Sequence, residues 1–432
     1  MSSVAADRLQ SEAVSFCSDL IRINTSNPTH PESEAAAYVE SALLEAGITC
    51  ERFEPAPGRV SLVARIAGRE GSLPPLLIHT HLDTVPADPD DWTVDPFAGL
   101  VQDGYVWGRG AVDMKGMVGA VIAVARELAR SGRPPRRDLI LAFFADEEAG
   151  GEWGAGYVTR TRPDLFARCE DAIGEVGGFS YRVSAEQRCY LVSTAEKGVL
   201  WARLHATGRP GHGSMINDDN AVSAVCDGVS RIARHEFAES ATPTVQMFLD
   251  GVADLLGLSG EPRDALLDKL GPLSRMIRAS LRDTLNPTTI TGGYKVNVIP
   301  GRASATVDGR FLPGHEQALR EALHELAGDR LTVEELFAGA AVESPWEVPL
   351  VDAISRALRR EDNTAMVLPY MGTAFTDAKW LSALGIRCYG FCPLLLPDDL
   401  DFTALFHGPD ERVPVAALEF CASVLHHLID DY

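Results

Sequence analysis

Basic residues are the first shortage. The 432 residues carry 39 lysines and arginines against 61 aspartates and glutamates, a formal charge of -22. Binding to phosphates needs a basic face, so nucleic acid and anionic membrane are poor partners for this chain. Cysteine pairing is missing too, because the eight cysteines are scattered singly from Cys17 to Cys421 with no C-x-x-C. That pattern argues against a stapled secreted domain and fits buried thiols in a reducing cytoplasm. No apolar run is long enough to cross a bilayer. The first 23 residues hold acidic side chains inside their apolar stretch and no basic n-region, which predicts an amphipathic helix and not a signal peptide. Several catalytic signatures are also absent. There is no G-x-S-x-G elbow. His235-Glu236, His315-Glu316 and His324-Glu325 each lack the second histidine of H-E-x-x-H. Gly108-Arg109-Gly110 lacks the third glycine of a dinucleotide loop.

What is present is an ordinary globular composition, 46% hydrophobic and 23% charged, at a length that predicts two domains. Up to residue 193, helical patterns (7–23, 32–46, 117–129) alternate with strand patterns (60–66, 75–81, 138–144). The last two strands are unbroken apolar runs suited to a sheet buried on both faces. From about Glu196 the residues alternate as in a half-exposed strand, and a helix follows over 220–235. Two strands around Pro300-Gly301 and an amphipathic helix over 315–326 continue this second unit. The expectation is an α/β catalytic domain, residues 1–193 and 343–432, with a central mixed sheet covered by helices. A smaller α+β domain, residues 194–342, is inserted into it. Residues 238–286 read as helical and irregular, without a clear place.

Three carboxylate-rich clusters follow apolar strands in order: His81-Leu82-Asp83, Asp113 within WGRGAVDMKG, and Asp146-Glu147-Glu148. Strand C-termini are where open α/β sheets present ligands to a crevice. Imidazole with carboxylate suits zinc, and one carboxylate can bridge two cations, a role that falls to Asp113. In a His-x-Asp strand both side chains share a face, so Asp83 is expected to accept the other ring N–H of His81 and fix its tautomer. Neighbouring Glu147 and Glu148 leave the strand end in different directions. Glu147 is expected to be the general base and Glu148 a ligand. Singly, each cluster reads as an ordinary turn; together and in this order they predict a metal centre.

These residues, with Thr84-Val85-Pro86, Gly108–Gly116 and Gly174-Glu175, resemble a known family. It is the two-zinc hydrolases comprising aminoacylase, acetylornithine deacetylase, succinyl-diaminopimelate desuccinylase and glutamate carboxypeptidase. The resemblance implies two divalent metal ions, zinc first, with cobalt or manganese as alternatives. It implies that His81, Asp113 and Glu175 hold one ion, and Asp113, Glu148 and His407 the other. Gly211-His212-Gly213-Ser214 matches the family's lid histidine, an oxyanion donor that in dimeric relatives comes from the partner, so the resemblance also implies a homodimer through the lid. Asn297 and Arg310 match positions that hold substrate, Arg310 as a fork for a carboxylate. Gly372 and Thr373 fall near a substrate loop, where Lys379 replaces the arginine of many relatives. The expected activity is removal of an acyl group from an N-acyl amino acid, a small molecule with a free carboxylate. A zinc carboxypeptidase or dipeptidase with the same centre is the alternative, and an inactive metal-stabilised binding protein is the alternative from another class.

Overall fold

Alternation of side chains along a strand decides how the larger sheet is covered. Leu76 and Ile78 join one hydrophobic cluster and Leu77 another; Leu139, Leu141 and Phe143 join the first, and Ile140, Ala142 and Phe144 the second. Successive side chains point to opposite faces, so the sheet is buried on both. The computed structural model describes residues 2–184, 187–271 and 273–432. Its ten-stranded mixed sheet runs Cys50–Ala56, Arg59–Ile66, Leu139–Phe144, Leu76–His81, Asp171–Gly174, Arg387–Gly390, Arg188–Glu196 and Val342–Glu343. Met366–Gly372 and Ser180–Arg182 also pair with Arg188–Glu196. Helices Ser3–Arg22, Lys115–Ser131, Pro349–Glu361 and Val415–Asp431 supply the first cluster, and Ala155–Thr161 and Ala378–Ser382 the second.

Strands Leu139–Phe144, Leu76–His81 and Asp171–Gly174 are parallel neighbours, with His81 opposite Phe144 and Ile78 opposite Ile173. Their C-terminal ends therefore deliver His81, Glu147, Glu148 and Glu175 to one edge. A three-stranded ribbon, Leu100–Gln102, Tyr105–Trp107 and Arg412–Pro414, places the loops bearing Asp113 and His407 side by side, because Arg412 pairs with Trp107.

A second, antiparallel sheet runs Thr284–Gly292, Arg302–Phe311, Gly198–Thr207, Thr332–Gly339. Leu200, Ala202, Leu204 and Ala206 face helices Ala221–Arg234 and Glu316–Ala327 in a hydrophobic cluster of their own. Helices Pro243–Leu256, Arg263–Lys269 and Leu273–Ala279 lie in the chain between strands of this sheet but join the larger core through Phe248, Leu249, Leu267 and Ile277. Residues 194–342 are thus divided between two hydrophobic cores.

Candidate metal centre

His81 ends its strand, and Nδ1 meets the carbonyl oxygen of Asp83 at 3.0 Å. A carbonyl only accepts, so Nδ1 carries a hydrogen and Nε2 is the nitrogen left to face a cation. The His-x-Asp spacing predicts that contact for the Asp83 carboxylate, which lies 3.6 Å away. The strand stops at His81, so residue 83 no longer follows the pleat on which the shared-face argument depends. The carboxylate instead accepts from the amides of Glu147 and Glu148, each at 3.0 Å, and from Asn27 Nδ2 at 3.0 Å. Asp83 orients His81 through its backbone and the two glutamates through its side chain.

Asp113 presents one oxygen to each side. Oδ1 lies 3.0 Å from His81 Nε2, which is 3.2 Å from Glu175 Oε2. Oδ2 lies 3.4 Å from His407 Nε2, which is 3.2 Å from Glu148 Oε2. Two groups of donor atoms, His81 with Asp113 and Glu175 and Asp113 with Glu148 and His407, each lie within 4.8 Å of one another. The chemistry of these donors fits two divalent cations. The buried Oε1 atoms of Glu147 and Glu148 have no hydrogen-bond partner, which fits a centre that needs added positive charge.

Electrostatics tell the same story. Burial, with neighbouring carboxylates, pushes Glu175 up to about 8, raises Glu147 well above its ordinary value and raises Glu148 as well. Hydrogen bonds to Asp113 and Glu148 push His407 up to about 10. Burial opposes a charge on His81, but Glu175, Asp113 and Asp83 outweigh it and raise the ring well above its usual value. Burial likewise works against a charged Asp113, yet both histidines hold it well below its ordinary range. His79, on the same strand, is pushed down to about 3 by burial and by His81. Its ring fills the space beside Gly174, where a Cβ would stand 2.2 Å from Nε2. It is a neutral packing residue.

Backbone conformation is unusual where these side chains leave it. Asp146, Val176 and His407 have φ of 68°, 59° and 58°. Left-handed backbone is costly for a β-branched valine, and such residues gather at functional sites.

A cleft of about 530 Å³ opens on Asp113, Glu147, Glu148, Glu175 and His407. Trp201 and Arg310 line it from the smaller sheet, and Thr373, Phe375, Met276 and Phe406 from the larger body. Arg310 is held by Asp308, with contacts of 2.8 and 3.1 Å, and its guanidinium lies 5.2 Å from the centre of the Phe375 ring. The other expected substrate residues do not line it. Gly372 is buried beside Glu196, its carbonyl accepting from the Lys197 amide. His212 and Asn297 sit together, exposed, on a two-stranded ribbon in which the Gly213 amide donates to the Asn297 carbonyl at 3.0 Å. Sequence reasoning missed Trp201, Met276 and Phe375, whose spacing is that of ordinary core residues. It also missed Glu411, four residues beyond His407, the one hint available.

Comparison with known proteins agrees with this fold. Aminoacylase-1 of Sus scrofa is 27% identical over 409 residues, covering 93% of this chain and 90% of that protein. The M20 family metallo-carboxypeptidase Sso-CP2 of Sulfolobus solfataricus superposes with a TM-score of 0.74 at 16% identity, covering 97% of this chain and 98% of that one. YXEP of Bacillus subtilis, a dinuclear metal-binding peptidase of the M20 family, gives 0.61 at 14% identity with 98% of each chain covered. The profile of peptidase family M20/M25/M40 matches residues 77–431, so the chain belongs to that family and is a metal-dependent hydrolase of amide bonds.

Proposed function

We propose that the protein removes the acyl group from N-acyl amino acids at a two-metal centre, with zinc as the first metal to test. His81, Asp113 and Glu175 would hold one ion, and Asp113, Glu148 and His407 the other. The observation that carries this reading is the Asp113 carboxylate, whose two oxygens face separate histidine–glutamate pairs at the floor of the cleft. When bound, two divalent cations polarise the amide carbonyl and make water acidic enough to attack at neutral pH.

The side chains do the rest. Glu147, buried, with an unpartnered oxygen and its amide tied to Asp83, accepts the proton of the attacking water and returns it to the leaving nitrogen. Arg310 receives the substrate carboxylate, and Asp308 holds the guanidinium plane in place from behind. His212 donates an N–H to the oxyanion. Within one chain it is exposed and outside the cleft-lining set, so a second copy supplies it. Asn297, carried on the same ribbon, would arrive with it. Met215, Ile216, Tyr294 and Val296, all exposed near that ribbon, are apolar surface for such a copy to cover. These exposed residues support a homodimer joined through residues of the 194–342 insertion.

Similarity to aminoacylase-1 across 93% of the chain favours deacylation over removal of a C-terminal residue. Turnover of N-acyl amino acids and of dipeptides, measured with zinc or cobalt and with chelator, tests the choice. Faster hydrolysis of dipeptides would move the protein to the carboxypeptidase or dipeptidase side. Absence of any turnover with metal bound would leave a binding protein.

A further inference from the structure

We propose that Glu411 is a positioning residue that locks the loops bearing Asp113 and His407 into one rigid unit and so sets the affinity of the second metal position. The inference rests on the two-metal reading above. Glu411 is fully buried. Its Oε1 accepts from the amides of Val112 at 2.7 Å and Asp113 at 3.1 Å. Its Oε2 accepts from the Gly110 amide at 3.0 Å and from Arg109 Nη1 at 2.7 Å. Both oxygens are engaged, and every donor comes from the 109–113 segment.

Arg109 extends the lock. Its Nη2 donates to the carbonyl of His407 at 3.2 Å, and the Gly108 amide donates to the Glu411 carbonyl at 2.9 Å. Beyond these contacts, Arg412–Pro414 pairs with Tyr105–Trp107. The two segments are therefore stitched from 105 to 113 and from 407 to 414. The stitching matters most for His407. Its side chain is 55% exposed and its backbone left-handed, and no strand carries it. His81 and Glu175, by contrast, leave the ends of neighbouring strands of the larger sheet. Loosening Glu411 should therefore weaken the ion shared by Asp113, Glu148 and His407 more than the ion shared by His81, Asp113 and Glu175.

Glu411→Gln tests this. The amide keeps the shape but must turn its NH2 toward one pair of donors, so two of the four bonds become donor against donor. Zinc binding is followed by competition with a chromophoric chelator, on protein whose fold is checked by near-UV circular dichroism. The expected result is a second zinc weakened about 10- to 100-fold with the first changed far less, the range typical of groups that orient metal ligands. The same variant should show a lower kcat at unchanged KM, restored by excess zinc. Two zinc ions bound with wild-type affinities would overturn the proposal. Wild-type protein that binds fewer than two zinc ions would overturn the metal reading, and the proposal with it. If Glu411→Gln does not fold, Arg109→Lys takes its place. It keeps the charge but not the fork to the His407 carbonyl, and should also weaken the second zinc selectively; an unchanged second affinity there overturns the lock.

Discussion

At the scale of single residues, the centre is built from groups that each face a conflict of charge. Glu147 is buried beside Glu175, and both are raised by that burial. If Glu147 is the base, Glu147→Gln should lower kcat by about 10²- to 10⁴-fold while zinc content stays at the wild-type level. Turnover close to wild type in that variant would remove it from the role. Protonation gives a second expectation. In the metal-free protein Glu175 titrates at about 8 and His407 at about 10, so at neutral pH both hold protons that a cation must displace. Zinc affinity should accordingly rise with pH through about pH 8 and on, more gently, toward about pH 10, with proton release on binding. Calorimetric titration in two buffers of different ionisation enthalpy measures that release, and a flat affinity with no released protons would contradict the assignment. Residue types at strand ends were legible in the sequence because three clusters follow apolar runs in order, although each alone reads as an ordinary turn. Backbone-mediated roles were not. The Asp83 carbonyl and the grip of Glu411 on three amides involve groups that every residue carries, so no side-chain pattern announces them.

At the scale of elements, burial on both faces made the central strands readable. The apolar stretches over 75–81 and 138–144 became Leu76–His81 and Leu139–Phe144. Helices Pro243–Leu256, Arg263–Lys269 and Leu273–Ala279 show the limit of such reading. Periodicity reveals that a helix has an apolar side but not which core receives it. Here the receiver is the larger core, and Met276 reaches the cleft from that packing. Close helix packing on the same core yields a further expectation. A Cβ on Gly119 would stand 2.7 Å from the Cys17 amide nitrogen and 2.8 Å from the Ala13 carbonyl oxygen. Both are backbone atoms of helix Ser3–Arg22, which cannot step aside without moving as a whole. Gly119→Ala gains helix propensity, yet overpacking should dominate and destabilise the fold by about 1–3 kcal/mol. Denaturant unfolding would register it, and a variant as stable as wild type would mean the helices separate freely.

At the scale of the whole molecule, the cleft belongs to two sheets at once. The larger sheet and its loops supply the metal-facing carboxylates, and the smaller sheet supplies Trp201 and Arg310. His212, the proposed third contribution, does not line the cleft of a single chain, and its ribbon faces solvent. If a second copy provides it, two differently damaged chains should repair each other. A Glu147→Gln chain keeps His212 but cannot remove a proton, and a His212→Ala chain keeps the base but lacks the oxyanion donor, a loss of about 10²- to 10³-fold in kcat. In a mixed dimer, the site whose base comes from the His212→Ala chain receives its histidine from the Glu147→Gln chain and is complete. Random pairing of equal amounts makes half the dimers mixed, each with one complete site of two, so activity should recover to about a quarter of wild type. The recovery should track the dimer fraction seen by light scattering. A mixture no more active than its parents, in a sample shown to exchange subunits, would place the oxyanion donor elsewhere in the same chain.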